Sequence, residues 1–199
     1  MFHVKQNNKI LAYKKLLEKY HNTLDLISTK ALKNIDQKIS DALEYAKAIE
    51  KYQPENKNLL DIGSGNGLPA IIIAISLPHW NVNLVERRSR RASFLKIVSS
   101  QLGLTNTKVY MSDVNEIRLE PQAVISAQAV GQFKDLYCLS NHLHSNKILL
   151  LSRKGQTWQD ELIDLETALN TKIEAQKPIE LSQHGNLIGL SLLGGIECQ

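Results

Sequence analysis

The chain has 199 residues, 43% hydrophobic and 22% charged, which is enough apolar material for one α/β domain and too much for a disordered chain. Its formal charge of +4 and pI of about 9.0 permit contact with nucleic acid without requiring it. Residues 1–9 carry no apolar signal-sequence core, and the longest apolar run, near residues 68–78, is too short to cross a bilayer, so no membrane partner is expected. Cys138 and Cys198 fit neither a metal-ligand spacing nor a disulfide framework, and are expected as separate thiols in a reducing cytoplasm, Cys138 as a small core residue.

Residues 10–29 are predicted as a helix, with Ile10, Tyr13, Leu17, Tyr20 and Leu24 spaced three and four apart and lysines opposite. A second helix is predicted over 34–51, with Ile35, Ile39, Leu43, Ala46 and Ile49 inward. A polar linker containing Pro54 follows, so residues 1–53 read as a helical N-terminal extension, packed on the main domain of 54–199 or closing over it as a lid. From residue 58 the pattern alternates. Strands are predicted near 58–62, 82–86, 108–111, 123–127 and 146–152, and helices near 68–77, 88–102, 130–143 and 157–169. That alternation implies a parallel sheet covered on both faces. The end of the chain changes character: 172–179, a turn at His184-Gly185-Asn186, then an apolar run over 187–193 predict an antiparallel finish.

The most informative stretch is Leu59-Leu60-Asp61-Ile62-Gly63-Ser64-Gly65-Asn66-Gly67-Leu68, a buried strand running into a triple-glycine turn before a helix. Glycines allow positive φ and close approach of backbone to a ligand. Gly63, Gly65 and Gly67 read G-x-G-x-G, whereas a nicotinamide-dinucleotide turn needs glycine where Leu68 stands. Glu86, 19 residues past Gly67, ends the next strand, where a carboxylate can accept hydrogen bonds from both ribose hydroxyls. Asp61 is placed to organise the turn or to reach an amino group of the ligand. Together these features describe a pocket for S-adenosyl-L-methionine (AdoMet). They leave open an RNA acceptor, a small-molecule or protein acceptor, or binding without transfer.

Leu60–Pro69 in this form, then Leu84-Val85-Glu86-Arg87, Phe94-Leu95 and Leu102-Gly103-Leu104, resemble the bacterial ribosomal RNA small subunit methyltransferase G family, also called glucose-inhibited division protein B. Gly-Leu-Pro directly after the turn is the most specific of these marks. Weaker similarity lies in Tyr20-His21-Asn22, in Ile125-Ser126-Ala127-Gln128-Ala129-Val130 and in Lys154-Gly155. The resemblance implies a class I methyltransferase fold with a seven-stranded, mostly parallel sheet, AdoMet as donor, and N7 of one guanine in small-subunit (16S) rRNA as acceptor. It places cofactor contacts on Gly63, Leu68, Val114, Asn115 and Gln128. The family has arginine where Gln128 stands, usually glutamate at Asn115, and an Arg-His pair at Gln37-Lys38. Glutamine lacks the planar bidentate fork of arginine.

Guanine N7 has an in-plane lone pair and no proton to lose, so its methylation needs alignment rather than a general base. The sequence accordingly nominates no catalytic residue. Val114 is expected on the adenine, or simply in the core. Arg87, Arg88, Arg90 and Arg91 open the helix after the second strand, beside the expected cofactor mouth. Guanidinium groups suit phosphate, so these four and Lys154 are predicted RNA contacts. The histidines form no zinc motif, and His142 and His144 are expected at the surface. The expected assembly is a cytoplasmic monomer that meets rRNA or an assembling subunit.

Overall fold

The computed structural model describes residues 2–52, 54, 56–128, 130–182 and 185–198, without the side chains of Phe2 and His3. The linker residues Gln53 and Glu55, Ala129, and His184 of the expected turn lie outside the described residues. In chain order the elements are α1 (Phe2–Tyr20), the single turn α2 (Thr29–Leu32), α3 (Ile35–Tyr52), β1 (Asn58–Ile62), α4 (Ala70–Ser76), β2 (Asn81–Val85), α5 (Ser89–Gln101) and β3 (Thr107–Tyr110). A 3-10 turn (Val114–Glu116) leads to β4 (Gln122–Gln128), α6 (Phe133–Ser140), β5 (His144–Lys154), α7 (Trp158–Leu169), β6 (Glu174–Ala175), β7 (Ile179–Glu180) and β8 (Asn186–Leu193). None of the described helices is long and apolar enough to cross a membrane.

The sheet order is β3-β2-β1-β4-β5-β8-β6, with β7 also on β8. Strands β1 to β5 pair in parallel, and β8 returns antiparallel on β5. The expected sixth strand, over 172–179, is instead two short pieces, both paired to β8. Pro178 stands between them and has no N–H to donate to a ladder.

Alternate residues of each strand feed two cores. Leu59, Leu84, Val124 and Leu149 face a layer of α1, α3, α4 and α5. Leu60, Val85, Ile125 and Leu150 face α6 and α7. The N-terminal helices therefore share the core of the first layer. Tyr13 and Leu17 from α1 and Ile35, Ile39 and Ile49 from α3 pack there with α4, whose Ala70–Ile75 are all buried. Each fully buried isoleucine contributes about 1.5–3 kcal/mol, so α4 is a fixed anchor for the turn before it.

Three sequence expectations change. Helix α1 ends at Tyr20 rather than near residue 29, because 21–28 form a tight turn in which Asp25 takes φ +50 and Leu26 N–H donates to His21 C=O. Cys138 and Cys198 are disulfide-bonded, with Cα atoms 5.9 Å apart. The antiparallel return of β8 brings the tail beneath α6, where Tyr137 Oη donates to Leu193 C=O and accepts from Ile196 N–H. His144 is half-buried rather than exposed. It sits edge-on against Tyr137 and bonds Ser140 Oγ, and burial, with His142 nearby, pulls its pKa down to about 4.

Candidate cofactor and acceptor groove

Chain reversal after Ile62 is built on backbone. Gly63, Gly65 and Gly67 have φ of +68, +54 and +98. Gly63 and Ser64 N–H both donate to Val85 C=O, at 2.9 and 3.0 Å, which ties the turn to β2. Gly67 is closed in on both sides: a Cβ there would meet Ile71 Cγ1 at 2.6 Å and Leu95 Cδ2 at 3.2 Å. A Cβ on Gly63 would press into Val130 Cγ2 at 2.7 Å. The helix opens at Ala70, two residues later than expected, and Leu68 N–H is already bound by Asn66 Oδ1 at 3.1 Å.

Two buried acids hold this turn from below. Asp61 Oδ1 accepts from Ser126 Oγ on β4 at 2.6 Å, while its backbone carbonyl accepts from Ser64 Oγ at 3.0 Å. Asp61 thus organises the turn and does not line the groove. Burial pushes its pKa up to about 6; the charge of Glu86 adds to that, and the hydroxyls of Ser126 and Ser64 pull against it. Glu86 Oε2 accepts from Gly65 N–H at 2.9 Å and Oε1 from Arg88 N–H at 2.8 Å. Each carboxylate oxygen has a second lone-pair site, so Glu86 can brace the turn and still receive a hydroxyl.

The groove lies at the C-terminal ends of β1, β2 and β4, next to the point where the strand order reverses between β1 and β4. Ligands of open α/β sheets bind at such a point. Gly63, Glu86, Arg88 and Val130 divide it into two adjoining cavities. The inner one, about 680 Å³, is walled by Ile62, Val85, Val114 and Leu139, with Arg87, Ser112 and Asp113 at its edge. The outer one, about 380 Å³, lies between Leu68, Val130 and Gln128 on one side and Leu26, Ile27, Ala31 and Lys38 on the other.

The predicted site residues separate accordingly. Gly63, Gly65, Leu68, Glu86, Val114 and Gln128 reach the groove, while Gly67 stands behind the turn. Asn115 does not: it is exposed, and its backbone and side-chain N–H groups both donate to Asp113 Oδ1. Arg87 pairs with Asp113 at 3.4 Å. Arg88 and Arg90 are exposed, and Arg88 borders both cavities. Arg91 lines the outer cavity as well, but its Nε and Nη2 are committed to Asp25 C=O at 3.2 and 3.0 Å. Lys154 is buried, with its ammonium on Glu161 and Gly131 C=O and over the Phe133 ring at 4.4 Å. It is a packed cation that closes α6 onto α7, unavailable to a phosphate.

Sequence reading missed Tyr13, whose buried hydroxyl donates to Asn66 C=O at 2.9 Å and props the turn from α1. It also missed Leu26, Ile27, Val130 and Leu139. Nothing in their local pattern marks them as lining a site, since each is apolar in an apolar setting.

The family model described as rRNA small subunit methyltransferase G matches residues 6–187. The chain is 35% identical over 176 residues to the Ribosomal RNA small subunit methyltransferase G of Nitrosococcus oceani, covering 87% of this chain and 78% of that one. It is 32% identical over 156 residues to the protein of the same name from Helicobacter acinonychis, covering 78% and 85%. Its fold is shared with a SAM-dependent methyltransferase from Aquifex aeolicus (TM-score 0.58, 14% identity, 84% of this chain and 100% of that one). It is shared too with the cofactor-bound Rv0187 from MTB (TM-score 0.61, 12% identity, 94% and 89%). With a family match across both N-terminal helices and the whole glycine-turn unit, this chain belongs to the rRNA small subunit methyltransferase G family, and with it to the AdoMet-dependent methyltransferases of class I fold.

Proposed function

We propose that the chain transfers a methyl group from AdoMet to N7 of a guanine in small-subunit rRNA, as a monomer in the cytoplasm. The observation that carries this is the pairing of the glycine turn with Glu86. A backbone loop that tolerates no Cβ at Gly63 or Gly67 ends beside a buried carboxylate that borders both cavities. The residues present fit AdoMet. Glu86 would take the ribose hydroxyls, Val85, Val114 and Leu139 the adenine, and the Gly63–Gly67 backbone with Gln128 the methionine end.

AdoMet supplies a methyl group already activated on a sulfonium. The chain then has to hold donor and acceptor in line and keep water away, and such alignment accounts for much of the barrier lowering in a displacement of this kind. No residue needs to take a proton from guanine N7. Arg88 borders both cavities, Arg90 is exposed beside it in sequence, neither guanidinium has a partner among the described residues, and Lys38 stands at the outer cavity; these give the RNA backbone its cationic track.

The test is methylation of small-subunit RNA from a strain deleted for this gene, followed by mapping of the modified base. One N7-methylguanine at a single position is expected, with affinity falling as salt rises. Turnover on free nucleosides or on protein, with none on RNA, would replace this reading with another acceptor class. Cytoplasmic thiols oppose a lasting disulfide, so the assay belongs both with and without reductant to cover the Cys138–Cys198 bond.

A further inference from the structure

Of the four arginines opening α5, one is bound differently from the rest. Arg88 and Arg90 are exposed, and among the described residues their side chains have no hydrogen-bond or ion-pair partner. Arg91 is three-quarters shielded and commits two N–H groups to a single acceptor, Asp25 C=O. The Asp25 carboxylate, 3.8 Å away and 89% exposed, adds little. Arg91 Nη1 lies 4.0 Å from where a Cβ of Gly65 would stand, so the same side chain backs the glycine turn. It therefore spans from the turn to the strap of residues 21–28, in which Asp25 holds φ +50. The next two residues, Leu26 and Ile27, wall the outer cavity opposite Leu68 and Val130.

We propose that Arg91 is a positioning residue for the acceptor: it fixes the strap so that Leu26 and Ile27 form an apolar wall against which one unstacked base of the substrate RNA is held. This rests on the RNA-methyltransferase reading above. The occupant is a base rather than a lipid or a peptide because Leu26, Ile27 and Ala31 stand with Leu68 and Val130 around a chamber small enough for one planar ring, while the cations Lys38 and Arg88 border it for the attached phosphate. It also opens directly on the donor half through Gly63 and Glu86. A base stacked inside a helix cannot enter a one-ring cavity, so it must enter unstacked.

A phosphate contact and a positioning residue differ in salt dependence. The experiment measures Kd for unmodified small-subunit RNA across salt, Kd for AdoMet, and kcat/KM for methylation. It compares the wild-type chain with Arg91→Ala, Arg91→Lys, Arg90→Ala and Ile27→Ala. Arg90→Ala is expected to lower the slope of log Kd against log salt by about 0.7. Arg91→Ala is expected to leave that slope unchanged and to lower kcat/KM about tenfold to a hundredfold, far more than it raises the AdoMet Kd through the turn it backs. Arg91→Lys should not rescue, because one ammonium cannot reproduce the fork. Ile27→Ala, which removes the wall and touches no charge, should lower kcat/KM in the same direction even if Arg91→Ala does not fold. A slope change in Arg91→Ala equal to that of Arg90→Ala overturns the proposal, as does unchanged turnover in Ile27→Ala. A wild-type chain that methylates no RNA overturns the functional reading instead.

Discussion

The two halves of the groove are made in different ways. The inner half is centred on the ends of β1 and β2, from Ile62-Gly63 and Val85–Arg88, with Ser112–Val114, Val130 and Leu139 laid over them. Its supports are short hydrogen bonds between neighbouring strands, such as Gly63 N–H to Val85 C=O and Gly65 N–H to Glu86. The outer half is assembled from segments far apart in sequence, the strap, the turn and the end of β4, and is held by bonds such as Tyr13 to Asn66 and Arg91 to Asp25. On the proposed reading, the ribose and adenine of a donor common to the whole methyltransferase class would meet the inner half, and the acceptor, which distinguishes one family from another, would meet the half built from long-range contacts, where single substitutions can move a wall without disturbing the sheet.

The sharpest way to break the inner half is Gly67→Ala. A Cβ at φ +98 is strained, and it would sit 2.6 Å from Ile71 Cγ1 inside the packed anchor helix. Backbone strain and overpacking each cost about 1–3 kcal/mol. Loss of about 4 kcal/mol of stability and of measurable AdoMet binding is expected, by thermal denaturation and calorimetry. Gly103→Ala is the matched control: φ is +57 but a Cβ would meet nothing within 4 Å, so only the conformational cost of about 1–2 kcal/mol should appear, with AdoMet binding intact.

Next in size is the pH response of Asp61. Its folded pKa, about 6, lies above the ordinary carboxylate value of 3.8, so between those values the folded chain holds a proton that the unfolded chain has released. The contribution is therefore complete below pH 3.8 and is lost as pH rises through 6. A shift of this size corresponds to about 3 kcal/mol. Asp61→Asn keeps an acceptor for Ser126 Oγ but cannot titrate. Relative to Asp61→Asn, the wild-type chain should lose that amount between pH 4 and 6 and stay level above, by chemical denaturation across pH. Parallel curves for the two proteins would show that Asp61 remains ionised throughout.

The same local-versus-distant contrast explains what could be read in advance. Strand β1, the glycine spacing and Glu86 were legible because their signals are periodicities and offsets within about thirty residues. The end of α1 was not. Leu24 continues the three-and-four spacing past Tyr20, so periodicity alone carries the helix through a turn that Asp25 reverses with positive φ. Arg91 and Arg90 look alike in sequence, and only the fold shows that one faces Asp25 C=O and the other solvent. Lys154 fits a basic patch by type, yet Glu161, one turn into α7, draws it inside. The Cys138–Cys198 bond depends on where β8 delivers the tail, 60 residues on, which no local pattern encodes.

Two smaller changes refine the contrast further. Glu86→Gln would turn an N–H₂ group toward either Gly65 or Arg88 N–H, losing one of two charge-assisted bonds. At about 1.5–3 kcal/mol, that predicts AdoMet binding weaker by roughly ten- to a hundredfold.

Tyr13→Phe tests the border between the halves, because Tyr13 belongs to the N-terminal helices yet touches the turn. Its hydroxyl is fully buried, and burial alone raises its pKa well above the usual phenol value, so it is a neutral donor at any working pH. Phenylalanine keeps the ring in its core site and removes only the bond to Asn66 C=O, leaving that carbonyl without its donor. The net cost of such a loss is about 1 kcal/mol, roughly a fivefold change if it is expressed wholly in AdoMet affinity. If the N-terminal helices merely pack on the domain, the loss should appear in the denaturation midpoint with AdoMet Kd unchanged. If α1 also sets the turn, Kd rises about fivefold while the slope of RNA binding against salt stays fixed, since no charge has moved. Calorimetry on the two proteins separates these outcomes, and the second would make the helical extension a working part of the donor half as well as the acceptor half.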